Sequence, residues 1–506
     1  MLTIASMLER QAARHGRTIA MIDDPTGEEW TVADLDGASA SAAAALLAAG
    51  VGPGDRVALL SANHPSMVIT YLAVARIGAV LVPLNWRLTT PELCAIASDA
   101  GITALVANAD LTAAASVADA IGITEGRRWS IGDTAAMSPI PPLPVDRGGA
   151  AVSMATPAGD DLLYLMYTSG TTGRPKGAMH THATTLAAAI GAIEAMDYRP
   201  GDRYLNVMPL FHVASLAMVN ICLRRRCTMV LGRAFDPAAA WQSVARYRID
   251  AMMAVPAMLQ AMATTRDPAL DTSSLRVLSS GAAPVPLPLL EQYRDLGIDI
   301  IQAYGLTEVG GAVSVLDAAD ATGHLGSAGS ALLTLDMQLV DVAGEPVDPG
   351  VAGEILVRGD AVTTGYWQMP EATAETFIDG WFRTGDIGVL DRDGFLTIRD
   401  RVKDMLISGG ENVYPAEIES VLLRHPKVAD VAVIGVPSAR WGEAPCAVVV
   451  SSDEIDSDGL LAWAREQLAS FKVPKVVEFV DELPRNASGK VLKHDLRARF
   501  PGPAPV

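Results

Sequence analysis

Residues 167–177 read YTSGTTGRPKG and place hydroxyl side chains, glycines and one lysine in a short polar loop. Glycine amides and hydroxyl groups can surround phosphate oxygens, and Lys176 would add a positive charge. The loop departs from the common phosphate-binding pattern, in which serine or threonine directly follows the lysine, because Gly177 follows Lys176. A flexible surface turn is the simpler alternative. The candidate phosphate contacts are Thr168, Ser169, Gly170, Thr171, Thr172, Gly173 and Lys176.

The distribution of lysine supports a special role for this loop. Residues 1–402 contain 26 arginines and a single lysine, Lys176. Lysine carries a compact point charge on a flexible stem, whereas arginine presents a planar fork. A chain that strongly prefers arginine has therefore kept lysine at a position where a point charge is useful, although chance placement of one lysine is an alternative.

The segment AYGLTE, residues 303–308, contains a second group of polar candidates. Tyr304 followed by Gly305 could stack against a base, and Thr307 could hold an oxyanion. Glu308 could bind Mg²⁺, which prefers a few hard carboxylate oxygens together with phosphates. Taken alone, such a segment is more often an ordinary strand end.

Two later segments each contain one charged candidate residue. In WFRTGDIG, residues 381–388, Asp386 could accept two hydrogen bonds from a ribose. In RNASGKVLK, residues 485–493, a polar loop presents Lys490 close to the end of the chain. A Gly-Asp turn and a solvated lysine are the respective simpler interpretations.

The elements that must position these residues follow an α/β pattern. Short apolar runs such as RVALL and AVLVPL alternate with alanine-rich stretches such as ASAAAALLAAG through residues 1–400. Residues 132–160 are rich in Pro, Gly and Ser and are predicted to be a surface connection. We expect a buried strand, DLLYLMY, then the loop, then a helix HATTLAAAIGAIEAM, a context that favours anion binding by backbone amides.

The pattern changes near residue 400, where a charged break precedes a Gly-Gly turn. A helix beginning near Pro415, an apolar strand over 428–436 and a further strand, helix and strand then form an α+β unit of about a hundred residues. The sequence therefore predicts a large domain, 1–400, and a small domain, 401–506. At 506 residues the chain is too long for one ordinary core.

Composition excludes several classes of protein. The net charge of -19 opposes non-specific binding to nucleic acid or to anionic membranes. The first 17 residues contain charges within their apolar stretch and predict an amphipathic helix, not a signal peptide, and no apolar run is long enough to span a membrane. The four cysteines have no metal-ligand spacing, which favours buried free thiols in a reducing compartment and a cytoplasmic location.

In this order the motifs resemble the adenylate-forming superfamily, which includes acyl-CoA synthetases, peptide-synthetase adenylation domains and insect luciferases. The resemblance covers essentially the whole chain and is strongest to bacterial single-chain fatty-acid and medium-chain acyl-CoA ligases. Besides the segments above it rests on LNWRL (84–88), MPLFHV (208–213), SSGAAP (279–284), GEILVRG (353–359), GYW (365–367), DRVKDMLISGGENVYPAEIE (400–419) and NASGK (486–490).

The resemblance implies a fold and a reaction. The fold is a large multi-lobed N-terminal domain, with β-sheets sandwiched by helices, and a small mobile α+β C-terminal domain. The implied partners are a small carboxylic acid, ATP with Mg²⁺, and coenzyme A. The carboxylate attacks the α-phosphate of ATP to give acyl-AMP and pyrophosphate, and the thiol of coenzyme A then displaces AMP.

The family's site residues transfer to matching positions of this sequence. The loop would hold the β- and γ-phosphates, Thr307 the α-phosphate, Glu308 the Mg²⁺ ion, and Lys490 would neutralise charge between carboxylate and α-phosphate. His212 would lie beside the acyl carboxylate, with a packing histidine as the alternative. The remaining positions implied for nucleotide or coenzyme A are Gly281, Ala282, Ala283, Tyr304, Gly305, Asp386, Arg401, the hinge residue Lys403, Ser408, Gly409 and Gly410.

Several alternatives stay open on the sequence alone. Small residues at 310–312 favour a fatty or other elongated apolar acid without excluding an aryl acid. The acceptor could be a carrier protein, and a catalytically dead scaffold is a further hypothesis that six retained polar positions oppose. Arg224–Arg226, the one dense basic run, is interpreted as a solvated helix end, with contact to coenzyme A phosphates or lipid headgroups as alternatives. The sequence does not specify an oligomeric state, and a homodimer is one option.

Overall fold

The computed structural model describes residues 2–108, 113–133, 135, 140–149, 157–168, 175–283, 285–317, 320–321, 323–324, 326–408, 411–438, 441–485 and 491–501. In chain order the helices are α1 (Ile4–His15), α2 (Val32–Ala48), α3 (Pro65–Arg76), α4 (Thr90–Ala100), α5 (Ala113–Ala120), α6 (His182–Ala195), α7 (Val213–Arg225), α8 (Pro237–Tyr247), α9 (Pro256–Thr265), α10 (Leu287–Asp295), α11 (Pro370–Thr376), α12 (Pro415–Leu422), α13 (Ser457–Gln467) and α14 (Lys493–Arg499).

The strands form four sheets. In chain order they are β1 (Ile19–Asp23), β2 (Glu28–Thr31), β3 (Arg56–Leu60), β4 (Val80–Leu84), β5 (Ala104–Asn108), β6 (Arg128–Ile131), β7 (Leu162–Thr168), β8 (Lys176–Thr181), β9 (Arg203–Asn206), β10 (Thr228–Leu231), β11 (Ala251–Met253), β12 (Val277–Ser280), β13 (Ile300–Leu306), β14 (Gly311–Leu316), β15 (Ser330–Ala331), β16 (Leu335–Val340), β17 (Ala352–Gly359), β18 (Phe377–Ile378), β19 (Trp381–Leu390), β20 (Leu396–Arg401), β21 (Leu406–Ser408), β22 (Glu411–Val413), β23 (Val428–Ser438), β24 (Gly442–Ser451) and β25 (Val476–Phe479).

Two of the sheets are mainly parallel and share the largest core. One has the order β15-β14-β13-β12-β11-β9-β10-β1-β2 and the other the order β6-β5-β3-β4-β7-β8. Helix α3 is apolar all round and buried along nearly its whole length, as expected for a helix enclosed between layers. Its Tyr71 hydroxyl donates to Asn220 Oδ1 at 2.9 Å, which satisfies a polar group in this core. The predicted arrangement of sheets sandwiched by helices is therefore confirmed.

The parallel sheet brings three sequence motifs to one edge. Strands β9, β11, β12 and β13 run parallel, so their carboxyl ends lie at the same side. MPLFHV follows β9, SSGAAP includes the end of β12, and AYGLTE includes the end of β13. Polar segments that are far apart in sequence thus converge because they occupy equivalent positions in the sheet.

The two smaller sheets are largely antiparallel. The first joins β16, β17, β19 and β18 in that order and adds β20 beside β19. The second joins β22, β21, β24 and β23 and adds β25, packing α12 and α13 over its own apolar cluster. The predicted helix at Pro415, the strand over 428–436 and the later strand, helix and strand are confirmed. The predicted boundary at 400–402 falls at the end of β20, and the division into domains stays a prediction.

Two local predictions differ from the structure. The loop does not lead directly into a helix, because Lys176–Thr181 form β8, antiparallel to β7, before α6 begins. The loop is therefore a hairpin connection, and the end of a helix is not the source of its expected anion affinity. Asp386 lies within β19 and pairs with Arg401 of β20, but it follows Gly385, whose φ is 70°, at a bulge where the pairing with β17 shifts register.

Other expectations agree with the structure. The amphipathic N-terminal helix is α1, and α7 ends at Arg225 as expected for the basic run. All four cysteines are free, with Cys94 only partly buried. In the part of the chain that the structure describes, no helix combines the length and apolar content that crossing a membrane requires.

Candidate active site

The hairpin between β7 and β8 brings Lys176 to the mouth of the polar loop. Thr168 and Lys176 are paired across the two strands, so they lie on either side of the loop. The Lys176 ammonium lies 4.9 Å from the centre of the Tyr366 ring, a cation–π contact. Five of the candidate phosphate contacts, Ser169, Gly170, Thr171, Thr172 and Gly173, lie outside the described residues.

Tyr366 connects this lysine to the candidate metal ligand. Its hydroxyl donates to Glu308 Oε1 at 2.9 Å, and the Glu308 carbonyl accepts from the Thr363 amide at 2.7 Å. Burial raises the pKa of Tyr366, and the neighbouring Glu308 carboxylate raises it further, so the phenol stays a donor. Lys176, Tyr366 and Glu308 therefore form one cluster, although sequence reasoning assigned Tyr366 no role.

Glu308 fits a Mg²⁺ ion that is held mainly by phosphates. Among the described residues, no group of three or more His, Cys, Asp or Glu side chains could hold a metal by itself. A single carboxylate beside the Lys176 hairpin matches the usual way in which proteins share Mg²⁺ with a nucleotide. The chemistry that such an ion would supply is neutralisation of phosphate charge.

His180 supports the backbone of the AYGLTE segment. The Nε2 atom of His180 lies 2.8 Å from the Thr307 carbonyl oxygen, and its Nδ1 lies 3.3 Å from the Thr184 hydroxyl. The imidazole is fully buried and stacks on Tyr164. His180 thus holds the backbone at Thr307 in place. No signal in a single sequence joins these residues, because 127 positions separate them.

Tyr304, Asp386 and Arg401, which the sequence analysis assigned to the nucleotide, contact one another. The Tyr304 hydroxyl donates to Asp386 Oδ2 at 2.7 Å, and Arg401 Nε lies 3.0 Å from Asp386 Oδ1. Asp386 is only 4% exposed, so its charge is held by these two partners. Burial raises the pKa of Tyr304, and the Asp386 charge raises it further. A carboxylate has about four acceptor positions, so it retains capacity for the two hydroxyls of a ribose.

The SSGAAP segment lies against the strand that carries Tyr304. A Cβ atom at Gly281 would come within 2.5 Å of the Ala303 carbonyl oxygen, so only glycine fits there. Ala282 follows with φ of 68°, a left-handed conformation that costs a non-glycine residue about 1 kcal/mol or more. Ala282 and Ala283 are exposed, so this strained turn presents its backbone at the sheet edge.

His212 precedes α7 at the same edge. Burial, together with the nearby Arg87 guanidinium, lowers the pKa of His212 to about 4, so the imidazole is neutral at pH 7. Its Nε2 atom is buried and has no hydrogen-bond partner among the described residues. Such a group favours a polar ligand atom beside it. Arg87, from LNWRL, is a neighbour that the sequence analysis did not connect with His212.

The remaining candidates belong to the C-terminal part of the chain. Lys403 is exposed, and its charge lies near those of Arg401 and Asp404. Ser408 is buried and ends β21, pairing with Gly442 of β24. Gly409, Gly410 and Lys490 lie outside the described residues, so their predicted roles stay predictions.

Buried histidines predict how stability responds to pH. Burial lowers the pKa of His180, His182 and His212 to about 4, against about 6.5 in an unfolded chain. The unfolded state therefore binds protons first as the pH falls. We expect the free energy of unfolding to decline from about pH 6.5 to pH 5, above the range in which most carboxylates titrate. Urea denaturation across that range measures the decline.

A single substitution tests the contribution of one histidine. His180→Gln should reduce the pH slope, because one group that titrates on unfolding is removed. His494→Gln is the matched control for the substitution itself, since His494 is exposed. A wild-type stability that is constant between these pH values would contradict the assignment.

Two family models and several known relatives match this chain. Residues 8–367 match the family described as AMP-binding enzyme, and residues 417–490 match the AMP-binding enzyme C-terminal domain. The chain is 45% identical to a feruloyl-CoA synthase of an Amycolatopsis species, over 97% of this chain and 96% of the relative. It is 38% identical to a long-chain-fatty-acid–CoA ligase of Mycobacterium tuberculosis, over 100% of both chains.

Solved structures extend the likeness to the whole fold. The o-succinylbenzoate CoA synthetase of Bacillus subtilis, in complex with its acyl-adenylate intermediate, superposes with a TM-score of 0.88 at 32% identity over 97% of both chains. A fatty acyl CoA synthetase of Mycobacterium tuberculosis gives a TM-score of 0.78 at 37% identity, over 99% of this chain and 98% of that structure.

The chain belongs to the AMP-binding enzyme family, the adenylate-forming superfamily. Within it the protein is an AMP-forming acyl-CoA synthetase, which joins a small carboxylic acid to coenzyme A and uses ATP with Mg²⁺. The scaffold alternative raised by the sequence is thereby set aside.

Proposed function

We propose that this ligase acts on an elongated, apolar monocarboxylic acid, with medium- and long-chain fatty acids as the first candidates. The observation that carries the proposal is the space beside the AYGLTE motif. A Cβ atom added at Gly311 would meet no other atom within 4 Å, and the neighbouring Ala312 is also small, whereas a Cβ atom at Gly310 would lie 3.1 Å from the Ala188 Cβ. Open space next to the predicted phosphate contacts can accept an acyl chain.

A second candidate class is the phenylpropenoic acids, such as ferulate. The relative named as a feruloyl-CoA synthase is 45% identical to this chain, against 38% for the long-chain-fatty-acid ligase. Both kinds of acid are elongated and largely apolar, and both would present one carboxylate to the nucleotide. The same open space suits either, so the two classes are compared directly in the experiment below.

In the adenylation step, two anions must approach each other: the substrate carboxylate and the α-phosphate of ATP. The residues proposed for this step surround them with compensating charge. Glu308 would hold Mg²⁺, which would supply neutralisation of phosphate charge. Thr307 would contact the α-phosphate, and His180 supports its backbone through the 2.8 Å contact with the Thr307 carbonyl oxygen. Lys490 is proposed to lie between carboxylate and α-phosphate, where a fixed cation lowers the barrier to their approach. Asp386 and Arg401 hold the ribose.

In the second step, the thiol of coenzyme A displaces AMP from the acyl group. A small domain, 401–506, is proposed to turn about Lys403 and to withdraw Lys490. Residues 408–410 would then line the path of the thiol, where glycine allows close approach of the backbone. No residue is assigned as a base for the thiol, because a small thiolate fraction suffices against so reactive an acyl-AMP.

A pyrophosphate-release assay with a panel of acids tests the substrate class. We expect octanoate, palmitate or ferulate to exceed acetate by more than about a hundredfold in kcat/KM, since each buried methylene contributes about 0.8 kcal/mol. Repeating the panel with and without coenzyme A separates adenylation from thioester formation. The ratio of palmitate to ferulate decides between the two classes, and acetate equal to octanoate would refute the proposed pocket.

A further inference from the structure

A cleft of about 350 Å³ lies between α1 and the C-terminal end of α7, and no residue assigned to the reaction lines it. Five arginines line it: Arg10, Arg14, Arg224, Arg225 and Arg226. The chain as a whole has 58 acidic and 39 basic residues, so this concentration of positive charge runs against its composition. The cleft therefore requires an explanation of its own.

The fold, and not the sequence alone, assembles this arginine cleft. Arg10 and Arg14 are four positions apart on α1 and so share one face of that helix. Arg224 and Arg225 end α7, and Arg226 is its cap residue. Gln11 Nε2 donates to the Arg224 carbonyl oxygen at 3.4 Å, which joins the two helix ends. Two basic groups separated by about 210 residues thus face one space.

Carboxylates near the arginine cleft are engaged elsewhere. Glu9, next to Arg10 in sequence, pairs with Arg76 at 3.0 Å, and Asp197, whose charge interacts with Arg225, pairs with Arg276 at 3.2 Å. Within the described ranges, no carboxylate lies within ion-pair distance of the five arginines. Arg225 does donate to the Tyr198 carbonyl oxygen.

Stabilisation of helix ends does not account for five guanidinium groups. Each helix C-terminus carries about half a negative charge, so the two ends together offset about one positive charge. The excess positive charge repels itself in a shared cleft, and a bound anion would relieve that repulsion. Arginine forks match phosphate oxygens in a bidentate manner, which makes phosphate the best-fitting anion.

We propose that the arginine cleft is a second ligand site, which binds a phosphate group independently of the nucleotide. Three sources share this chemistry: a free phosphate ion or small phosphate ester, the headgroup of an anionic phospholipid, and the phosphates of coenzyme A. The proposal does not depend on which acid the enzyme uses, because none of the five arginines takes part in the assigned reaction.

Arg226 allows a substitution that removes charge without harming the fold. Its φ is 65°, in the left-handed region that glycine prefers, so Arg226→Gly should keep or raise the melting temperature. Combining it with Arg14→Gln removes one charge from each helix. Arg248→Gly is the matched control, because Arg248 also ends a helix with positive φ, at 50°, but pairs with Asp271 outside the cleft.

Three measurements on the full-length wild type, the double variant and the control identify the source. They are calorimetric titration with inorganic phosphate, co-sedimentation with phosphatidylcholine vesicles with and without phosphatidylglycerol, and the KM for coenzyme A. The active site is identical in all three proteins, so a difference in binding or in KM between them is due to the arginine cleft. In the double variant we expect at least one of three changes of about tenfold: weaker phosphate binding, weaker vesicle binding or a higher KM for coenzyme A. We expect none of these changes in the wild type or the control variant.

The pattern of loss assigns the ligand. If only phosphate binding is lost, the ligand is a soluble phosphate. If only vesicle binding is lost, the ligand is a lipid headgroup. If the KM for coenzyme A rises, the ligand is coenzyme A itself. The proposal is overturned if the double variant matches the wild type in all three measurements while folding with an equal or higher melting temperature.

Discussion

Lys490→Ala is expected to abolish acyl-adenylate formation while leaving thioester formation from supplied acyl-AMP largely intact. Adenylation brings two anions, the carboxylate and the α-phosphate, to bonding distance, and a fixed cation in a water-poor site is worth several kcal/mol there. We expect a loss of about 10³-fold or more in the rate of pyrophosphate release, or about 4 kcal/mol. The thiol step starts from a mixed anhydride whose carboxylate charge is already removed, so it needs this cation less.

The comparison of the two half-reactions is the decisive measurement. Lys493→Ala is a useful control, because Lys493 lies three residues further on, is partly buried, and pairs with Glu419 at 2.8 Å. We expect that variant to lower the melting temperature and to affect both half-reactions alike. If Lys490→Ala reduced both half-reactions equally, Lys490 would have no specific part in adenylation.

Asp386→Asn is expected to lower kcat/KM for ATP by about 10²- to 10³-fold, which corresponds to about 3–4 kcal/mol. The substitution removes a buried negative charge on which the Tyr304 hydroxyl and Arg401 converge, at 2.7 and 3.0 Å. An amide accepts less strongly than a carboxylate and also introduces a donor that faces Arg401. The proposed ribose contacts lose their acceptor at the same time. Initial rates over a range of ATP concentrations measure the effect.

A structural aspartate separates this effect from simple destabilisation. Asp202 is also buried, 7% exposed, and pairs with Arg276 at 2.7 Å on another part of the molecule. Asp202→Asn should lower the melting temperature and leave the KM for ATP unchanged. A normal KM for ATP in Asp386→Asn, with a similar fall in melting temperature, would reduce Asp386 to a structural role.

Much of the local structure was predictable from the pattern of side chains. The amphipathic start of α1, the apolar strand β23 and helix α12 each follow from spacing within about a dozen residues. The hairpin was not predictable in this way. Residues 176–181, KGAMHT, have no strong alternation, and they form β8 because the edge of β7 is available for antiparallel pairing.

In the candidate site, too, some residues were predictable from the sequence and others were not. Tyr304, Asp386, Glu308 and Lys176 were identifiable by residue type within motifs. His180 and Tyr366 were not, since their importance lies in contacts to Thr307 and Glu308, 127 and 58 positions away.

By itself, the sequence determined the chemical inventory of this protein: a polar loop with one lysine, a carboxylate beside a threonine, a carboxylate for a ribose and a lysine near the chain end. Only the tertiary structure decided which of these groups meet, which histidines are buried and neutral, and that two distant arginine groups face one cleft. The physical reason is that side-chain periodicity is a local property, whereas these contacts depend on strand order and helix packing across the whole fold.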